Sequence, residues 1–256
     1  MPGDLPPDQF RWAMHRAADL IADYLEKVGD YPGSAAICPE YRALMPGIER
    51  ADSIVVNPHK WLFVPLDASL LLTRRMDDLR AAFSLVPEYL RTLDRSGPVR
   101  DYNEYTPQLG RRFRALKLWI HLRWFGLEGL RATIREHIDL ARRLETVIAE
   151  DPDWDVLAPT PFSTVCFRYR PRHLGGREDE PDVAAELDRL NERLLAAVNA
   201  TGEVFLSHTR LRDRFTIRIA IGNLRTEPRH VDLAWELLRA EAARLHPARE
   251  KEPADG

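Results

Sequence analysis

Asn57-Pro58-His59-Lys60-Trp61 puts a carboxamide, an imidazole and a primary amine on neighbouring positions of one short stretch. The run before it, Ser53-Ile54-Val55-Val56, is apolar and β-branched and reads as a buried strand. Pro58 lacks an N–H and biases Asn57 toward an extended conformation, so the strand ends there and the lysine falls on a turn. An amine held at such a turn can be partly desolvated, as a Schiff-base nucleophile requires. The competing reading is a surface lysine, the commoner state of that side chain. For His59 the competing reading is an ordinary packed histidine at a strand end.

Several elements must hold this turn in place. Ala68 to Leu72 reads as a second strand, Asp77 to Phe83 as a short helix, and Ser84 to Thr106 as a long polar connection. Arg111 to Phe125 reads as a helix with Phe113, Leu116, Trp119, Ile120 and Trp124 turned inward, followed after a break near Gly126 by a more charged helix from Leu127 to Glu150. Beyond Trp154 the pattern changes. Val165, Phe167 and Tyr169 alternate with polar neighbours, as do Phe215, Ile217, Ile219 and Ile221, and Glu203 to Leu206 is a shorter candidate strand. Helices over Asp182 to Ala200 and Pro228 to Leu245 flank these strands, giving a small α+β domain with an antiparallel sheet and helices on one face. At the other end, Asp8 can cap a helix to Lys27 whose Phe10, Met14, Ala17, Leu20, Ile21 and Tyr24 form one apolar stripe.

Composition narrows the field. The 256 residues are 45% hydrophobic and 30% charged, with a net charge of −3, which gives no reason to expect nucleic acid or an anionic membrane as partner. The apolar region from Trp61 to Leu72 is interrupted by Pro65 and Asp67 and is too short to span a bilayer. No basic-then-apolar leader pattern opens the chain, so the expected location is cytoplasmic. Cys38 and Cys166 lie in no metal-ligand spacing; they are expected as core residues, and no metal is expected.

The pentapeptide around Lys60, together with Gly33-Ser34-Ala35-Ala36-Ile37-Cys38-Pro39-Glu40-Tyr41-Arg42 and Leu109-Gly110-Arg111-Arg112-Phe113-Arg114-Ala115-Leu116-Lys117, resembles the pyridoxal-phosphate-dependent group II amino-acid decarboxylases, the aromatic-L-amino-acid decarboxylase family. The likeness runs from about Gly33 to about Leu245. It implies an α/β fold: part of a fold type I transferase large domain, followed by a C-terminal α+β small domain. It also implies pyridoxal 5'-phosphate (PLP) as cofactor, an aromatic or related amino acid as small-molecule substrate, and a homodimer touching through the N-terminal helix. By resemblance Lys60 binds the cofactor covalently, His59 sits beside it, Asn57 helps hold its phosphate, and Leu109 and Gly110 approach that phosphate from the partner subunit. Tyr89 matches the loop tyrosine that gives a proton to the decarboxylated carbon; a phenol with an ordinary pKa near ~10 stays protonated at neutral pH and can serve as that acid. Arg111, Arg112 and Arg114 are phosphate contacts in one reading and solvated or paired helix-start charges in the other.

Family members carry most of the large domain between the N-terminal helix and the Gly-Ser-Ala block, whereas here the helix reaches that block through Gly29-Asp30-Tyr31-Pro32-Gly33. The expected division is therefore an N-terminal dimerisation helix over 1–30, a shortened cofactor-binding segment over 31–150 and the small domain over 151–256. The family's ring-stacking histidine and phosphate loop belong to the segment not found. Val28 stands where the resemblance calls for the aspartate that pairs with the ring nitrogen, and Asp30 is two residues out of register, roughly 6.6 Å along an extended strand. Two readings follow. One is a decarboxylase with impaired activity; the other is a non-catalytic remnant or interaction protein that keeps the lysine motif and the dimer surface.

Overall fold

The computed structural model describes residues 33–84, 102–108 and 110–246. The expected helix over 8–27, Val28, Asp30, Tyr89 and Leu109 lie outside the described residues. The chain divides into two compact units, Met1–Asn57 with Ser69–Arg112, and Pro58–Ala68 with Phe113–Gly256.

In the first unit a 3-10 turn, Gly33–Ile37, leads through a single helical turn at Pro39–Arg42 toward β1 (Ser53–Val56). Gly33 lies close against this strand: a Cβ there would stand 3.3 Å from Val56 Cγ2. β1 pairs antiparallel with β2 (Leu70–Thr73), Val56 opposite Leu70 and Ser53 opposite Thr73. The strands stand where the sequence puts them, but β1 is not buried. Val55, Leu71 and Leu72 are exposed, because among the described residues this sheet has only two strands, too few to cover both of its faces. The helix α1 (Met76–Phe83) follows, and Arg80 pairs with the buried Glu104 in the 3-10 turn Tyr102–Tyr105.

The second unit is built on α2 (Arg114–Glu150), which breaks at Gly126 as its sequence predicts. Gly126 adopts φ 67° and ψ 170°, a conformation that only glycine takes without strain. The two halves of α2 differ. After the break Leu130, Ile134, Ile138, Leu144 and Ile148 are buried. Before it, Phe113, Leu116, Trp119, Ile120 and Trp124, expected to face inward, are exposed. Their three-and-four spacing makes an apolar stripe, but no described surface covers it.

The sheet of this unit is antiparallel in the order β3–β4–β6–β5: β3 (Trp154–Val156), β4 (Thr164–Tyr169), β5 (Ser207–Leu211) and β6 (Arg214–Ala220). Val165 faces Ile219 and Phe167 faces Ile217, so the period-two apolar sets of β4 and β6 share one side. That side packs on α2, on α3 (Pro181–Ala200) and on α4 (Pro228–Leu245) through Leu144, Ile148, Leu194, Val198, Ala234 and Leu238. The candidate strand at Glu203–Leu206 is not one; the strand is the following five residues, Ser207–Leu211. Asn199 explains the difference, because its side chain takes both the Leu206 N–H (2.8 Å) and the Leu206 C=O (3.0 Å), which removes that backbone from the ladder. α3 meets the sheet in the same manner. Asn191 Oδ1 accepts the Tyr169 N–H, its Nδ2 donates to the Tyr169 carbonyl, and Asp188 accepts the Phe215 N–H. No helix among the described residues is long and apolar enough to cross a membrane.

Candidate functional site

Residues 58–62 form the turn that the proline predicts, and its backbone closes on itself: Val64 N–H donates to Pro58 C=O (3.0 Å) and Phe63 N–H to Lys60 C=O (3.2 Å). Phe63 takes φ 60°, which reverses the chain after Trp61 and Leu62 have turned inward. Those two residues are buried, whereas Lys60 between His59 and Trp61 is exposed. The partial desolvation expected of this lysine is therefore not supplied by the described residues. What they supply is a fixed point of attachment.

His59 is held by the far end of its own loop. Its Nδ1 lies 2.6 Å from the Ala68 carbonyl oxygen and 3.1 Å from the Ala68 nitrogen. The shorter contact requires a proton on Nδ1, since a bare nitrogen and a carbonyl oxygen would repel at that distance. In the neutral ring Nε2 then carries the lone pair. Residues 65–67 are tied to the first turns of α2, where Lys117 Nζ donates to Pro65 C=O (2.8 Å) and Arg114 pairs with Asp67 (2.8 Å). Hydrogen bonding from Arg114 holds the Asp67 carboxyl down at about 2.

Two histidines further along α2 brace the turn itself. Burial lowers the pKa of the His121 ring, and the nearby Leu62 carbonyl only partly offsets this. His137, almost wholly buried, accepts the Trp61 indole N–H at its Nδ1 (3.0 Å), and its other nitrogen donates to the Asn223 carbonyl. Burial lowers the pKa of His137 as well, so it is a neutral link. Phe63 meets the His137 ring edge-on (5.6 Å between centroids) and Phe162 meets Trp61 likewise (6.5 Å).

Of the residues singled out from the sequence, the structure puts His59 and Lys60 on one turn of the second unit. Asn57 and Gly110 belong to the first unit, where Asn57 Oδ1 accepts from Ser69 Oγ (2.7 Å) and the space around the exposed Gly110 is open. Tyr89 and Leu109 lie outside the described residues. Arg111 bonds to Tyr102 C=O (2.6 Å) and to Thr106 Oγ1, and Arg114 to Asp67, so both are engaged by their own chain. His137 was not singled out from the sequence. Its signal was nonetheless there: a lone imidazole on the apolar stripe of α2, between Ile134 and Ile138.

Residues 29–170 match the pyridoxal-dependent decarboxylase conserved domain. The chain is 42% identical over 221 residues to the aromatic-L-amino-acid decarboxylase of Sus scrofa, covering 86% of this chain and 42% of that protein. It is 42% identical over 216 residues to the phenylacetaldehyde synthase of Arabidopsis thaliana, covering 84% of this chain and 42% of that protein. Among solved structures, Catharanthus roseus tryptophan decarboxylase in complex with L-tryptophan superposes with a TM-score of 0.72 at 35% identity, over 84% of this chain and 43% of that one. Oryza sativa TDC with PLP and tryptamine gives 0.76 at 36%, again over 84% and 43%. The chain thus spans about two fifths of the length of the relatives it matches.

Proposed function

Given that the chain belongs to the pyridoxal-dependent decarboxylase family, we propose that it carries the cofactor-lysine portion of a PLP-dependent decarboxylase of aromatic L-amino acids that works as a homodimer. The observation that carries this reading is the lysine turn, an exposed amine between two side chains that are both fixed, His59 on Ala68 and Trp61 on His137. These residues suit an aldehyde cofactor, because the amine is reachable while its backbone cannot drift. Once bound, PLP supplies the sink for the electron pair left as the substrate carboxylate departs as carbon dioxide.

The chain's own residues have simpler tasks. Lys60 holds the cofactor through its amine. His59, with Nδ1–H engaged by Ala68, presents Nε2 as an acceptor beside it. Asn57, Gly110 and Leu109 are assigned to the phosphate, and Tyr89 to returning a proton to the carbon that has lost its carboxylate. A second reading has its own support. The chain spans about two fifths of its relatives' length, and the first half of α2 exposes a row of large apolar side chains. Both features suit a non-catalytic remnant or interaction protein that retains the lysine turn.

One experiment tests both. The protein is mixed with PLP, reduced with borohydride and mapped by peptide mass, and carbon dioxide release from aromatic and acidic amino acids is followed in parallel. Label concentrated at Lys60 is expected, with turnover far below that of an ordinary enzyme, because pre-organised groups aimed at developing charge commonly contribute about 3–4 kcal/mol each. Ordinary turnover that vanishes in Lys60→Ala would exclude the non-catalytic reading; label scattered over surface lysines and unchanged in Lys60→Ala would exclude a cofactor role for this turn.

A further inference from the structure

Three separate stretches of the second unit meet at one buried imidazole. Trp61 comes from the lysine turn, His137 from the second half of α2, and Asn223 from the loop that follows β6. The chemistry of the contact is directional. Because Nδ1 accepts the indole N–H at 3.0 Å, the ring proton must sit on the other nitrogen, and that N–H is taken by the Asn223 carbonyl. The Asn223 carbonyl is itself fixed, since it also accepts the Thr226 N–H at 2.9 Å and so closes a tight turn. The same loop also lies against the indole: a Cβ built on Gly222 would lie 4.0 Å from Trp61 Cδ1, the carbon next to the indole nitrogen. Phe63 closes the remaining face of the imidazole edge-on.

A packed apolar side chain at 137 would fill the same volume and leave the indole N–H without a partner. The histidine does more than fill space: it fixes the rotation of Trp61, whose backbone neighbour is Lys60. We propose that His137 is a positioning residue for Lys60, acting through Trp61 and referencing the lysine turn to the loop after β6. The inference rests on the cofactor reading given above. It assigns no contact between His137 and the cofactor; its action is entirely on where the turn holds the amine.

The test uses the full chain with its tryptophan indoles labelled with nitrogen-15. Trp61→Phe assigns the Trp61 indole resonance, and His137→Leu and His137→Asn are compared with the unaltered protein for that resonance, for the rate of PLP label at Lys60 and for melting temperature. Asn places its Oδ1 near the position of the imidazole Nδ1 and can accept the same N–H. His137→Leu is expected to move the Trp61 resonance and to slow Lys60 labelling about tenfold, as small displacements of a reacting group do. His137→Asn is expected to restore both, and Trp61→Phe, which removes the donor and keeps a ring, to slow labelling as His137→Leu does. Should His137→Leu not fold, the contrast between Trp61→Phe and His137→Asn carries the same comparison. Wild-type labelling rates in folded His137→Leu or Trp61→Phe, or His137→Asn labelling as slowly as His137→Leu, would overturn the proposal. An unaltered protein that shows no selective label at Lys60 would defeat the cofactor reading, and this inference with it.

Discussion

At the scale of single residues, His137 ties the stability of the lysine turn to pH. Burial lowers its pKa in the folded chain from the ordinary 6.5, and the Asn223 hydrogen bond only partly offsets that. The unfolded chain therefore binds the proton more readily. Stability from this group is fully present above about pH 6.5 and is lost as pH falls below it, at a limiting rate of about 1.4 kcal/mol per pH unit. Protonation also puts a hydrogen on Nδ1, where the Trp61 indole needs an acceptor. His121 is shifted in the same direction by burial, so part of the slope will survive in any His137 variant. Urea unfolding at pH 7.5 and 5.5 should show a clear loss in the unaltered chain and a smaller one in His137→Asn; equal losses would mean that His137 does not titrate as its burial implies. Sequence made Lys60 and His59 visible because they sit in a contiguous motif. His137 lies 76 positions from Trp61, and that contact is a product of tertiary packing that no local pattern encodes.

At the scale of elements, most of the helices and strands followed from periodicity, and the misplaced strand at Glu203–Leu206 has a local cause. The Asn199 side-chain amide takes the Leu206 backbone groups that the pattern would have assigned to a ladder. Asn191 makes the same kind of contact at Tyr169, the last residue of β4, where β4 and β6 have ceased to pair beyond Phe167 and Ile217. Asn191 is fully buried within the apolar stripe of Leu187, Leu190, Leu194 and Leu195, a polar residue in a position where a leucine would be expected. Its two hydrogen bonds of 2.8 Å to the Tyr169 N–H and C=O connect α3 to the sheet. Asn191→Leu would keep the branching at Cγ, strand both backbone groups at about 1–3 kcal/mol each, and crowd a closed site with a bulkier side chain. Denaturant titration should therefore show a loss of several kcal/mol with the m-value kept; a loss under about 0.5 kcal/mol, the size of an ordinary surface change, would mean that the clasp contributes nothing.

At the scale of the whole molecule, sequence periodicity reports that a face is apolar but not what covers it. The first half of α2 illustrates the limit. Its stripe of Phe113, Leu116, Trp119, Ile120 and Trp124 was expected to face a core, yet Trp124 is 82% and Phe113 75% exposed. The second half, with the same kind of stripe, is buried against its own sheet. The difference lies in the available partner surface, and the chain spans only about two fifths of its relatives' length. A contiguous row of large apolar side chains on this scale exceeds the scattered exposed hydrophobics of an ordinary surface and favours association. Lys117, which donates to the neutral Pro65 carbonyl, and Arg123 lie along the row, so like charge opposes the association of two copies at low salt and salt screening eases it. Light scattering after size exclusion should show a mass above 29.5 kDa that grows with protein concentration and with salt. The double substitution Trp119→Lys and Trp124→Lys should return it toward the single-chain mass without lowering the melting temperature, because both side chains are already in water. A strictly monomeric unaltered chain at high concentration and salt would show that the row is covered in solution after all.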